Sequence, residues 1–203
     1  MTDRTIDRDL LASAMSWLLA GIALIVLDLR LDQFDFLFDP AGGVVVAIGI
    51  SRVVRATPAT SIALPLHALA WLHVALLTGV EVGVLTGELA VGGVGLTDST
   101  EASLLWQVVA TAETVVNALG VIALAQHLRR CLVGVASDRW RQVTISWVAS
   151  LVALPLLLLT GALELVFLGL AIVAIAGVLL LVSLFATRRA AEDDDLDRDF
   201  EQR

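Results

Sequence analysis

The chain alternates between apolar runs long enough to cross a bilayer and short patches that hold nearly all of its charge. A bilayer core about 30 Å thick takes about 20 helical residues to cross, and runs of that order fall at about 10–28, 34–54, 61–86, 104–127, 143–160 and 164–187. Each reads as a transmembrane helix, so the expected class is an all-α integral membrane helical bundle of six spans. Composition agrees. The chain is 58% hydrophobic and 17% charged, against about 45 to 50% and about 25% in soluble domains; the mean hydropathy is +0.89. The first run is too long for the core of a cleaved signal peptide, and no small-residue cleavage site precedes a polar mature region. One transmembrane domain, 10–187, is therefore expected between a short N-terminal segment, 1–9, and an acidic tail, 188–203, expected to be disordered.

The second run is the weakest, because its uncharged part starts only near Pro40 and covers roughly 22 Å at about 1.5 Å per residue. Phe34, Phe36 and Phe38 can make up the deficit at the headgroup level, with Asp35 and Asp39 reaching water. The arginines support a full crossing. With six spans, Arg4 and Arg8, Arg52 and Arg55, Arg129, Arg130, Arg139 and Arg141, and Arg188 and Arg189 all fall on one side, leaving only Arg30 on the other. The positive-inside rule makes that side the cytoplasm and places both termini in it. A re-entrant second segment would invert the later helices and put the four arginines of 128–142 outside.

All 13 basic residues are arginine, and tyrosine is absent. Without lysine, Schiff-base catalysis and a Walker-type phosphate loop are excluded. The net charge of -8 argues against a nucleic-acid partner; the partners expected are the lipid bilayer and other membrane proteins or further copies of the chain. The single cysteine, Cys131, permits no internal disulfide. His67 and His127 fall at similar depth, which is how two histidines can hold a haem, but nothing else points to a cofactor or metal. HALAWLH, from His67 to His73, is not the HExxH zinc arrangement, and no GxSxG elbow occurs. No catalytic set is legible, and no enzyme activity is expected.

Polar residues inside the spans are few, and they cluster. At about 100° per residue, Gln107, Thr111, Glu113, Thr114 and Asn117 share one arc of the fourth span, with Ala110, Ala118 and Gly120 on or beside it. Leu105, Val108, Val109, Ala112, Val115, Val116, Leu119 and Ile122 occupy the opposite side, expected to face lipid. In the third span His67, Thr78, Glu81 and Glu88 fall together, with His73 further round, and the two polar faces are expected to meet. Glu113 sits near mid-membrane, where a carboxylate costs about 2.5 to 3.5 kcal/mol. It needs a proton or a partner, for which His73 and Asn117 are the candidates. The set Glu113, Asn117, Gln107, Glu81 and His73 reads either as a proton or cation relay or as hydrogen-bonded glue between helices. A second set, Asp28, Asp35, Asp39, Glu88 and Glu164, makes the outer half acidic, either as a cation-attracting vestibule or as a solvated exterior.

Small residues recur every four positions at Ala12, Ser16 and Ala20, and at Gly43, Ala47 and Ser51, which lets helices approach closely. Pro65 and Pro155 are expected to kink their helices. Leu76 to Gly79 with Glu81 echoes Leu158 to Gly161 with Glu164, as duplicated hairpins would. The stretch LDQFDFLFDPAGGVVVAIGISRVVR, residues 31–55, resembles a segment of uncharacterised small prokaryotic multi-pass membrane proteins. The likeness rests on Asp39, Pro40, Gly42, Gly43 and Gly49. It implies a recurring turn and short helix and brings no activity with it. Two functional classes remain: small-solute, ion or proton translocation between the third and fourth helices, and a structural or regulatory membrane component that binds partner proteins.

Overall fold

The computed structural model of the protein describes residues 6–26, 38–85, 104–159 and 163–193. These residues form six helices: α1 (Arg8–Val26), α2 (Phe38–Ala56), α3 (Ala63–Leu85), α4 (Leu104–Cys131), α5 (Gly134–Leu159) and α6 (Leu163–Glu192). Among the described residues four of them are long and apolar enough to cross a membrane, over Arg8–Ile25, Ala63–Gly83, Val108–Cys131 and Phe167–Glu192. The described residues are thus all-α, with four helices of a length and apolarity that suggest a membrane protein. α2 falls outside that group because charge interrupts it: its 19 residues carry Asp39, Arg52 and Arg55. α5 opens with Asp138, Arg139 and Arg141 before its apolar run.

Helix ends follow from local chemistry. Asp7 caps α1, its Oδ1 accepting from the Leu10 amide at 3.0 Å, which satisfies one of the free donors of a first turn. Asp39 and Pro40 occupy the first turn of α2, where a carboxylate meets the positive end of the helix dipole and a missing N–H costs nothing. α3 begins at Ala63, so Pro65 also lies in a first turn. The kink expected there is not needed, because no carbonyl precedes it in the helix to lose a bond. The stretch 128–142, expected as a loop, is nearly all helical: α4 runs to Cys131, Leu132 and Val133 link, and Gly134 starts α5 at φ 60°. The Ser137 hydroxyl donates to the Arg129 carbonyl at 3.1 Å, satisfying a free acceptor at the α4 terminus. The acidic tail likewise begins helical, because α6 continues to Glu192 and Arg188 pairs with Glu192 at 2.9 Å. Residues 194–203 lie outside the described residues, as do 34–37 of the expected second span.

Each helix packs on its neighbours in sequence, and α6 returns to α1, so the six close into a ring. The tightest approach is α1 on α2. A Cβ at Gly21 would lie 2.6 Å from Val46 Cγ2 and 2.8 Å from the Gly42 carbonyl oxygen, and a Cβ at Gly49 would lie 2.9 Å from Leu18. The stripe Gly43, Ala47 and Ser51 serves a different contact. A Cβ at Gly43 would strike Leu77 of α3 at 2.8 Å, and Ser51 meets His67 of α3. The dense core lies toward the arginine-bearing end, around Leu11, Met15, Val53, Leu66, Leu128 and Trp140, with Leu184 from α6.

That end is also fastened by polar side chains. His127 is fully buried, with Nε2 2.7 Å from Thr57 Oγ1 and Nδ1 2.7 Å from Thr60 Oγ1. Thr57 has one hydroxyl proton and donates it to the Val53 carbonyl at 2.7 Å. It therefore accepts from Nε2–H, and Thr60 is the partner of Nδ1. Trp140 Nε1 donates to Thr187 Oγ1 at 3.0 Å between α5 and α6. Arg52 donates to Ser13 Oγ at 2.7 Å, and its guanidinium lies 4.8 Å from the centre of the Trp17 ring.

Candidate functional site

The ring of helices surrounds a cavity of about 300 Å³ to which all six contribute. Two glycines give it room: a Cβ at Gly120 of α4 or at Gly177 of α6 would meet nothing within 4 Å, and both residues line the space. Most of the wall is leucine, isoleucine and valine. Its polar residues are His73 of α3, Glu113 and Asn117 of α4, and Trp147 of α5.

Helical phase explains that selection. On α4, residues 113, 117, 120 and 124 succeed one another at spacings of three and four, which keeps them on one face. On α3, Leu69, Ala70, His73 and Leu77 do the same. His73 Nδ1 approaches Glu113 Oε1 to 3.4 Å without hydrogen-bond alignment. The other carboxylate oxygen, Oε2, is 3.4 Å from Thr114 Oγ1, a hydroxyl whose one proton is shared with the nearer Ala110 carbonyl at 3.1 Å. Among the described residues, then, the Glu113 carboxylate has only long contacts, although it can accept about four hydrogen bonds. Asn117 is exposed and lines the space, and the Glu113 side chain is 19% exposed. His73 is 8% exposed. Trp147 Nε1 is buried with no hydrogen-bond partner among the described residues.

Of the five residues singled out as a relay, the structure brings His73, Glu113 and Asn117 to one cavity. Glu81 is half-buried on α3, away from that wall, and the Gln107 side chain lies outside the described residues. The polar faces meet differently from the expectation. His67 turns to α2, where its Nδ1 is 3.2 Å from Ser51 Oγ, and Thr78, Thr111 and Thr114 are exposed on the outside. His73, the member expected further round, is the one that reaches α4. The expected lipid face holds at Leu105, Val108, Val115 and Leu119, all exposed, but Val116 lines the cavity. Of the acidic set, Asp39 is half-buried and close enough to Glu113 for their charges to repel. Asp28, Asp35, Glu88 and the Glu164 side chain lie outside the described residues.

The chain has no match among family models, curated proteins or solved structures. The site must be read from its own geometry.

Two contributors escaped the sequence. Gly177 sits in an unbroken apolar run, where one small residue marks either a close contact or an open space. Trp147 offers no periodic signal, since its helix presents it singly. The paired bonds of His127 were equally hidden, because Thr57 and Thr60 stand 70 and 67 residues away.

Proposed function

We propose that this chain is a multi-pass protein of the cytoplasmic membrane, with six spans and both termini in the cytoplasm. It takes a small, mostly apolar solute into the central cavity and moves it through the bundle. The observation that carries this reading is the open space beside Glu113, bounded by all six helices. A protein whose polar stripe served only as glue between subunits would be packed dry there. The lining also bears on the cargo. Conduction of hydrated ions uses rings of carbonyls or carboxylates, whereas this wall is hydrocarbon with four polar side chains.

Crossing by α2 and α5 is supported by their place in the ring, each held between two of the four helices that are long and apolar enough to span. With 19 and 26 residues they extend about 28 and about 39 Å at 1.5 Å per residue, comparable to a bilayer core. Arg52, Arg55, Arg129, Arg130, Arg139 and Arg141 then sit at the headgroups, their stems lying along apolar surface.

Photolabelling with a small phenyl-diazirine tests occupancy of the chamber. In native membranes the expected adducts map to Leu124 and Leu180 as well as to the exposed surface of α6. Gly120→Leu, which fills open space, is expected to remove the first set and keep the second. Adducts confined to lipid-facing positions such as Val178 and Val182 would contradict a chamber open to solutes.

A further inference from the structure

Resting on the solute-chamber reading, we propose that the cavity selects a hydrophobic monocation, an arylalkyl ammonium in chemical class, whose charge is read by Glu113. Three observations converge on that ligand. The first is charge. Glu113 presents a carboxylate to an apolar space, with only two long contacts among the described residues, to His73 and Thr114. Asp39 adds negative potential from the first turn of α2. Among the described residues every arginine belongs to the opposite end, so no fixed cation answers this one. A bound ammonium would offset the cost of an uncompensated carboxylate in hydrocarbon.

The second observation is size. The cavity of about 300 Å³ is roughly twice the 150 Å³ apolar cavity that holds one benzene. One aromatic ring plus a headgroup of similar bulk fits; a bare metal ion would leave most of the space empty and meet too few oxygens. The third is the wall itself. Trp147 brings an indole ring to the lining, an aromatic partner for an organic cation, and Asn117 brings a side-chain amide. Gly120 and Gly177 leave the width that a ring requires.

Benzyltrimethylammonium and its uncharged isostere neopentylbenzene share a shape and differ in charge, so their affinities can be compared by equilibrium dialysis against the full-length protein in nanodiscs. The cation is expected to bind at least about tenfold more tightly. Glu113→Gln is expected to bring the two affinities within about twofold by weakening the cation alone, while Gly120→Leu should lose both. Equal affinities for the native protein would overturn charge selection, and a preference that survives Glu113→Gln would overturn its reading by Glu113; either result leaves the apolar chamber standing. Failure of both compounds to bind the folded native protein would remove the chamber as well. The comparison on native protein requires no variant, so it decides charge selection even should Glu113→Gln fail to fold; Glu113→Ala, measured the same way, then tests the carboxylate.

Discussion

At the scale of single residues, glycine does two opposite things in this chain. Gly21 holds α1 against α2 at a distance no side chain permits, with Val46 and the Gly42 carbonyl within 2.8 Å of where a Cβ would stand. Backbone atoms are part of that contact, so a methyl group cannot be absorbed by a rotamer change. Gly120 faces open space, and a methyl there meets nothing within 4 Å. The two alanine variants should therefore move in opposite directions. Gly21→Ala is expected to destabilise by about 1 to 3 kcal/mol, as overpacking does. Gly120→Ala is expected to stabilise by about 0.5 to 1 kcal/mol, the gain in helix propensity. Melting of the purified protein in one detergent measures both, and shifts of the same sign would refute the distinction. Sequence alone could not separate these roles. It shows a small residue, and only the neighbour across the gap decides whether smallness makes a contact or a void. Glu113 was legible for the opposite reason: a carboxylate amid valines declares its cost without reference to any neighbour.

At the scale of elements, the arginine-bearing end is held by short-range chemistry that apolar pattern does not encode. His127 buckles the 57–62 connection to α4 through Thr57 and Thr60. Replacing it with leucine keeps the volume but leaves the half-buried Thr60 hydroxyl without its imidazole partner. The expected loss is about 1 to 3 kcal/mol. In a double-mutant cycle with Thr60→Val the two losses should fall short of additivity, because the second change removes the stranded group. Additive losses would mean the two side chains act separately. Gly134 is the second device, the positive-φ glycine among the described residues. Gly134→Ala should cost about 1 to 2 kcal/mol, the penalty of a left-handed backbone for an L side chain. Charge density at 128–142 suggested a loop. Yet Arg129 and Arg130 fit the last turn of α4, where cations meet the negative end of the helix dipole, and α5 accepts Arg139 and Arg141 on exposed positions. Charge marks where a span leaves the apolar layer, which is a different boundary from the end of its helix.

At the scale of the whole molecule, ring closure makes the cavity. Neighbour-on-neighbour packing with α6 returned to α1 leaves an axis that six helices can fill only with large side chains. Toward the arginine end they do, with Met15, Leu128 and Leu184 fully buried; beyond it Gly120 and Gly177 leave the axis open. Closure in sequence order also links packing to topology. An even ring of alternating helices puts the 57–62 connection, the Leu132–Val133 link and the end of α6 at one face, which the bond from His127 to Thr57 and the contact of Trp140 with Thr187 support. The proposed orientation makes that face cytoplasmic. Single cysteines placed at Ala59 and Gln202, in a chain carrying Cys131→Ser, should then react with a membrane-impermeant maleimide only in inverted vesicles. A cysteine at Thr97, between α3 and α4, should react only in right-side-out ones. Reaction of Ala59 and Thr97 from the same side would mean that α3 does not cross. Reaction of Ala59 and Gln202 from opposite sides would mean an odd number of crossings after α2. With α3, α4 and α6 already long and apolar enough to span, that result would identify α5 as the helix that stays within one leaflet.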